Sequence, residues 1–154
     1  MTHEQLNFYK PLVAFLGESL GPDYEIVLHD LENETKSVIA IANGHISGRK
    51  IGDPITDRSL DLINRKLYKN HDFYTNYQGI TRHNTVLRSS TMFIKNDEGT
   101  PVGLLCINFD DTRFIELHDL LLSVAHPIDF LKKYSTHTLQ NMETVSYTHL
   151  TLPT

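Results

Sequence analysis

The 154-residue chain has 40% apolar and 21% charged residues, close to the average of a soluble protein, so it has length and apolar content for one ordinary domain and is no disordered segment. Its net charge of −5 is uneven: residues 1–48 hold seven acids against two lysines, and residues 49–154 hold twelve of each sign. Neither part is a basic surface, so direct nucleic-acid contact is not expected. No apolar run approaches the roughly 20 residues of a membrane helix. The first residues lack the pattern of a secretory signal, and a cytoplasmic location is predicted.

From Glu4 to Leu20, the positions Leu6, Tyr9, Val13, Leu16 and Leu20 step by three and four, which predicts a helix. Phe8, Leu12 and Phe15 add a second apolar stripe, either core or a dimer contact. Pro11 requires the helix to begin or kink near it, and Gly21-Pro22 ends it. Tyr24–His29 and Ser37–Ala42 read as strands of a hairpin across a polar turn. Asn43–Gly52 is a loop with three glycines. Asp53-Pro54 reads as a helix cap followed by proline, opening a helix that runs to about Lys69. Phe73–Thr81 has strand character weakened by Asn76 and Gly79. Val86–Lys95 and Val102–Phe109 are strands joined by the turn Asn96-Asp97-Glu98-Gly99. Asp111-Thr112 caps a last apolar helix with Phe114, Leu117, Leu121 and Val124, interrupted at Pro127, and a connecting helix follows to about Thr144. The final ten residues, Val145–Thr154, carry no formal charge and no periodicity, and read as a translated sequencing-adapter end. On that reading the native chain continues differently after about Thr144.

This order predicts an α+β fold with one five-stranded antiparallel sheet. On the last strand, Val102, Leu104, Cys106 and Asn108 share one face, and Leu105, Ile107 and Phe109 the other. Both faces are apolar, so both should be covered, one by the middle helices and the other by terminal helices or a partner subunit.

Four ordered blocks carry a resemblance: Glu25-Ile26-Val27-Leu28-His29-Asp30, Asn43-Gly44-His45-Ile46-Ser47-Gly48-Arg49, Arg88-Ser89-Ser90-Thr91 and Leu105-Cys106-Ile107-Asn108-Phe109-Asp110. Together they resemble the YheO-like PAS family of bacterial helix-turn-helix transcriptional regulators, over about Leu20 to Asp111. The resemblance implies a PAS-like five-stranded antiparallel sheet with flanking helices. It also implies homodimerisation, and a sensor followed by a helix-turn-helix domain, through which the parent protein would meet DNA. That domain is missing from this chain. The implied organisation is an N-terminal helix over 1–22, a sensor core over 23–112 and a helical linker over 113–144. Some relatives are tied to amino-acid catabolism, so an amino-acid-like ligand follows by analogy.

The glycine-rich loop sets an amide (Asn43), an imidazole (His45), a hydroxyl (Ser47) and a guanidinium (Arg49) beside a backbone able to turn sharply. Arg49 suits a carboxylate clamp. The loop lacks the spacing of a phosphate-binding P-loop. In Val86–Lys95, Ser89 and Thr91 face one way, Arg88 and Ser90 the other. Buried polar groups there, and Asn108 on the last strand, need partners. A small polar ligand and hydrogen bonds to the Asn43–Arg49 loop are the two solutions. Asn43, His45, Ser47, Arg49, Arg88, Ser89, Thr91 and Asn108 are therefore the candidate ligand contacts. His29-Asp30 reads as a turn or cap. The histidines lack zinc-site spacing, Cys106 reads as a packing residue without a partnered base, and no disulfide can form within the chain. No metal, cofactor or catalytic activity is predicted. The alternative to a sensor is a ligand-free dimerisation scaffold.

Overall fold

The structure, a computed structural model, describes residues 2–125. Two compact units follow one another along the chain, Met1–Asp110 and Asp111–Thr154.

The first unit is built on β1 (Tyr24–Asp30), β2 (Val38–Ala42), β3 (Phe73–Ile80), β4 (Val86–Lys95) and β5 (Pro101–Phe109). They form a sheet in the order β2-β1-β5-β4-β3, every adjacent pair antiparallel. The first hairpin and the last three strands are thus joined by β1 and β5, with Glu25 opposite Asn108 and Val27 opposite Cys106. The α+β sheet expected from the strand pattern is the one observed.

Alternation divides the sheet into two cores. Ile26, Leu28, Ala40, Ile94 and Leu105 face the N-terminal segment, where Leu6 and Val13 are buried against them. That segment begins as a 3-10 turn over Glu4–Tyr9 and becomes α1 (Lys10–Leu20) where Pro11 occupies the first helical turn. Proline is tolerated there because the first helical N–H groups have no intrahelical acceptor. Gly21, at φ 91°, takes the positive dihedral that closes the helix. The second stripe faces outward: Phe8 is 81% and Phe15 64% exposed.

The opposite face carries Val27, Phe93, Leu104 and Cys106, covered by α2 (Asp57–Asn64) and the connection around it through Ile55, Leu62, Leu67 and Tyr68. Here two expected boundaries are corrected. The helix does not start at Asp53-Pro54, because the Asp53 carboxylate accepts the Lys50 N–H and pairs with Arg82 in a turn. Thr56 is the cap, its hydroxyl accepting the Ser59 N–H at 3.2 Å. Nor does the helix reach Lys69: Lys66 turns left-handed at φ 56°, and a 3-10 turn over Leu67–Lys69 follows. His29 is also not a turn residue. It lies in β1 with its ring buried and its Nδ1 2.9 Å from Ser37 Oγ, while Asp30 forms the turn by accepting the Glu32 N–H.

In the second unit, α3 (Thr112–Ala125) starts where expected, the N–H groups of Phe114 and Ile115 both donating to the Asp111 carbonyl. The break at Pro127, the connecting helix to Thr144 and the decapeptide 145–154 lie outside the described residues. Among the described residues no helix is long and apolar enough to cross a membrane.

Candidate ligand-binding site

Register places Glu25, Asn108, Ser89 and Tyr77 side by side across four strands, one row on the inner face. The row is joined by hydrogen bonds. Ser89 Oγ donates to Asn108 Oδ1 at 2.8 Å, and Asn108 Nδ2 donates to Glu25 Oε1 at 2.9 Å. The other Glu25 oxygen accepts both the N–H and the hydroxyl of Ser47, from the loop after β2. A fully buried carboxylate is sustainable only with such donors around it. Gly79 on β3, opposite Leu87, lies beside the row and leaves room for it, because a Cβ there would collide with Ser89 Oγ.

One residue pair further along the strands the face becomes less polar. Tyr77 Oη and Thr91 Oγ1 are 2.7 Å apart, and Thr91 Oγ1 lies 3.3 Å from Cys106 Sγ. Burial pushes the Tyr77 hydroxyl pKa above its usual value and the Cys106 thiol up to about 11, so both stay protonated at neutral pH. Beyond them lie Leu104 and Phe93, wholly apolar. His29, flanking this region, is held neutral: burial and then the nearby Arg49 charge lower its pKa to about 3.

Between the polar row and the α2 connection lies a cavity of about 640 Å³. That is within the usual size of small-molecule pockets. Ser47, Arg49, Ser89 and Asn108 line it, together with Glu25 and Cys106. Arg49 reaches in from the loop, its Nη2 donating to the Pro54 carbonyl. Its Nε is buried with no hydrogen-bond partner among the described residues. Burial lowers the Arg49 pKa, opposed by the charges of Glu25 and Asp53. The guanidinium nevertheless remains charged, as arginine does in proteins.

The other four candidate contacts lie elsewhere. Asn43, left-handed at φ 56°, turns its amide onto the carbonyls of Gly17, Gly21 and Tyr24, at 3.1, 3.0 and 2.8 Å, closing the end of α1. The Nε2–H of His45 donates to the Pro22 carbonyl at 3.1 Å. Thr91 shares the inner face but is spent on Tyr77 and Cys106. Arg88 is on the outer face, 4.9 Å over the ring of Phe109. Sequence reasoning missed Glu25, although period-two alternation with Val27 already set it on the inner face. It also missed Arg58, Thr81 and Arg82, which enter the cavity wall only through the tertiary fold. Away from the cavity, His3, Asp30 and Glu32 bring potential metal-ligating atoms within 4.8 Å of one another. They are partly or fully exposed, and Asp30 Oδ1 already serves His3 and the Glu32 N–H. The cluster reads as a turn closure.

The strand order and the helical connection over the inner face define a PAS-type domain. The sequence profile described as the YheO-like PAS domain matches residues 1–126. The chain belongs to that family. It is 37% identical to the YheO protein of Escherichia coli K12 over 113 residues, 73% of this chain and 47% of that protein. An uncharacterized protein of Haemophilus influenzae is 36% identical over 107 residues, 68% of this chain and 47% of its own length. The chain thus spans about half the length of these curated relatives. Among solved structures, it is similar to the PAS domain of a Colwellia psychrerythraea protein at 18% identity and a TM-score of 0.43, over 65% of this chain and 98% of that one. The PAS domain of the fruit-fly ELK potassium channel matches at 12% identity and a TM-score of 0.43, over 66% and 97% of the two chains.

Proposed function

We propose that the chain is the sensory domain of a bacterial transcriptional regulator, a cytoplasmic binding module rather than an enzyme. A small polar metabolite, amino-acid-like by analogy with relatives, occupies the inner-face cavity. The observation that carries this reading is the cavity itself: about 640 Å³ bounded by the hydrogen-bonded row Ser47, Glu25, Asn108 and Ser89. A ligand-free scaffold would be favoured by a filled space beside Ser89 and Asn108, whereas this cleft, lined in part by exposed Ile80 and Arg82, can admit a small molecule from solvent. The cavity wall includes Asn108, next to the end of β5, and α3 begins three residues after β5 ends. Ligand occupancy would bias the helix towards one of two arrangements through differential affinity, and so signal to a helix-turn-helix domain outside this chain. No nucleic acid is contacted by this part.

Homodimerisation belongs to the same proposal, supported by the exposed stripe of Phe8, Leu12 and Phe15. Replacing Phe8 and Phe15 by glutamate then gives a monomer in light scattering, and an unchanged mass removes that surface from the proposal. Sensing is tested by a thermal-shift screen against amino acids, small carboxylic acids and neutral polyols. At least one class raises Tm by several degrees, as a ligand at 100 times its Kd stabilises by about 2.7 kcal/mol. No shift with any class would sink the sensor reading.

A further inference from the structure

Resting on the reading of the cavity as a ligand site, we infer that its ligand is a small monocarboxylate whose acid group docks on Arg49. The guanidinium is a donor-only group with five N–H bonds in a rigid fork, and buried donors require acceptors. Arg49 spends Nη2 on Pro54, and its buried Nε has no partner among the described residues. The two acids whose charges act on it, Glu25 and Asp53, accept hydrogen bonds from other groups, so neither carboxylate fills its fork. Glu25 accepts from Ser47 and Asn108, and Asp53 accepts the Lys50 N–H and pairs with Arg82 at 3.5 Å. The other cations of the cavity wall already have counter-charges, Arg82 in Asp53 and Arg58 in Asp61 at 3.6 Å. Among these cations the half-buried Arg49 is the one with no ion pair and with a donor left unpartnered among the described residues, and a planar carboxylate matches a guanidinium fork with two parallel hydrogen bonds.

The rest of the wall narrows the class. Glu25 and Asp57 also line the cavity and oppose a dianion such as phosphate. Val27, Ile55, Leu87 and Cys106 give an apolar surface for the hydrocarbon body, and Ser89 and Asn108 a hydrogen-bonding edge for one further polar substituent. One acid group, an apolar body and one further polar substituent describe the ligand.

The test uses the full chain and acid–amide pairs of matched shape, hexanoate with hexanamide and benzoate with benzamide, alongside inorganic phosphate and glucose, read by calorimetry and thermal shift. The acid binds at least about tenfold more tightly than its amide, the size expected for a charge-assisted hydrogen bond. Arg49→Gln weakens the acid far more than the amide and so erases that preference, and Arg49→Lys, charged but without the fork, falls between. Should Arg49→Gln fail to fold by circular dichroism, the acid-to-amide ratio of the unaltered chain decides alone. Amides or glucose binding as tightly as acids, tighter binding of phosphate, or an acid preference that survives Arg49→Gln overturns the inference and leaves the ligand site standing. No binding by any of these probes overturns the inference, and the ligand site itself falls only if the wider thermal-shift screen is also silent.

Discussion

The two faces of the sheet are made by alternate residues of the same five strands, yet they solve burial differently. The outer face is closed by Leu6 and Val13 over Ile26, Leu28 and Leu105, and among the described residues none of the buried polar strand residues lies on it. The inner face buries Glu25, His29, Ser89 and Thr91 as well as Val27 and Leu104, and keeps a cavity beside them. A dry face contributes stability in proportion to the apolar area it removes from water. The buried polar groups of the inner face add little net stability to its own apolar cluster, because each must first recover the hydrogen bonds it loses to water. The polar row of the inner face is therefore what stability alone does not explain, and it is the part that the proposed ligand reading accounts for.

If the division is real, damage to the outer face should cost stability and spare binding. Leu6→Ala removes a fully buried side chain packed against Gly103, and should lower unfolding free energy by about 2–5 kcal/mol in urea titrations. Acid affinity, measured where the variant is still folded, should stay within twofold. A large loss of affinity would show that the faces are coupled. Glu25→Ala attacks the other side. It leaves the donors of Ser47 and Asn108 facing a buried gap, at about 1–3 kcal/mol for each donor that finds no water. It should cost binding more than Leu6→Ala does, and the reverse ranking would undo the comparison.

Much of this contrast is legible in the sequence because strands have a strict period of two. Val86–Lys95 has the bounds expected, and the opposite facing of Ser89 and Arg88 follows from alternation alone. The start of α2 was not legible: Asp53-Pro54 has the chemistry of a cap, and only the tertiary pairing of Asp53 with Arg82 shows it holding a turn while Thr56 caps. The glycine loop was ambiguous for a related reason. A polar side chain beside glycine looks the same whether it caps a helix, as Asn43 does, or enters a cavity, as Arg49 does. Glu25 was overlooked although its position in the alternation placed it inward. What no local pattern contains is the row itself, which needs β1 beside β5, residues more than eighty positions apart in the chain.

The pH dependence sharpens the same contrast with a smaller effect. His29 is neutral in the fold with a pKa lowered to about 3, against 6.5 when unfolded. Between those values the unfolded chain binds the extra proton, so the group's contribution is complete above about pH 6.5 and falls as pH drops towards 3. The slope grows from about 0.7 kcal/mol per pH unit at pH 6.5 towards about 1.4 at pH 5, and His29→Gln should remove it from urea titrations over that range. Equal slopes in the two proteins would mean that the ring is hydrated in the fold.

The smallest expected effect is at Cys106, where the inner face is polar enough to suggest chemistry. The thiol is buried beside Thr91 and its pKa is raised to about 11, by burial first, so almost none is thiolate at pH 8. Since the thiolate is the nucleophile, iodoacetamide should label Cys106 only as fast as the protein opens, and fully in urea. A ligand in the cavity should slow labelling further in proportion to the stability it adds, because both report the same opening. Rapid labelling of the folded protein would instead make Cys106 an accessible nucleophile and overturn its reading as a packing residue.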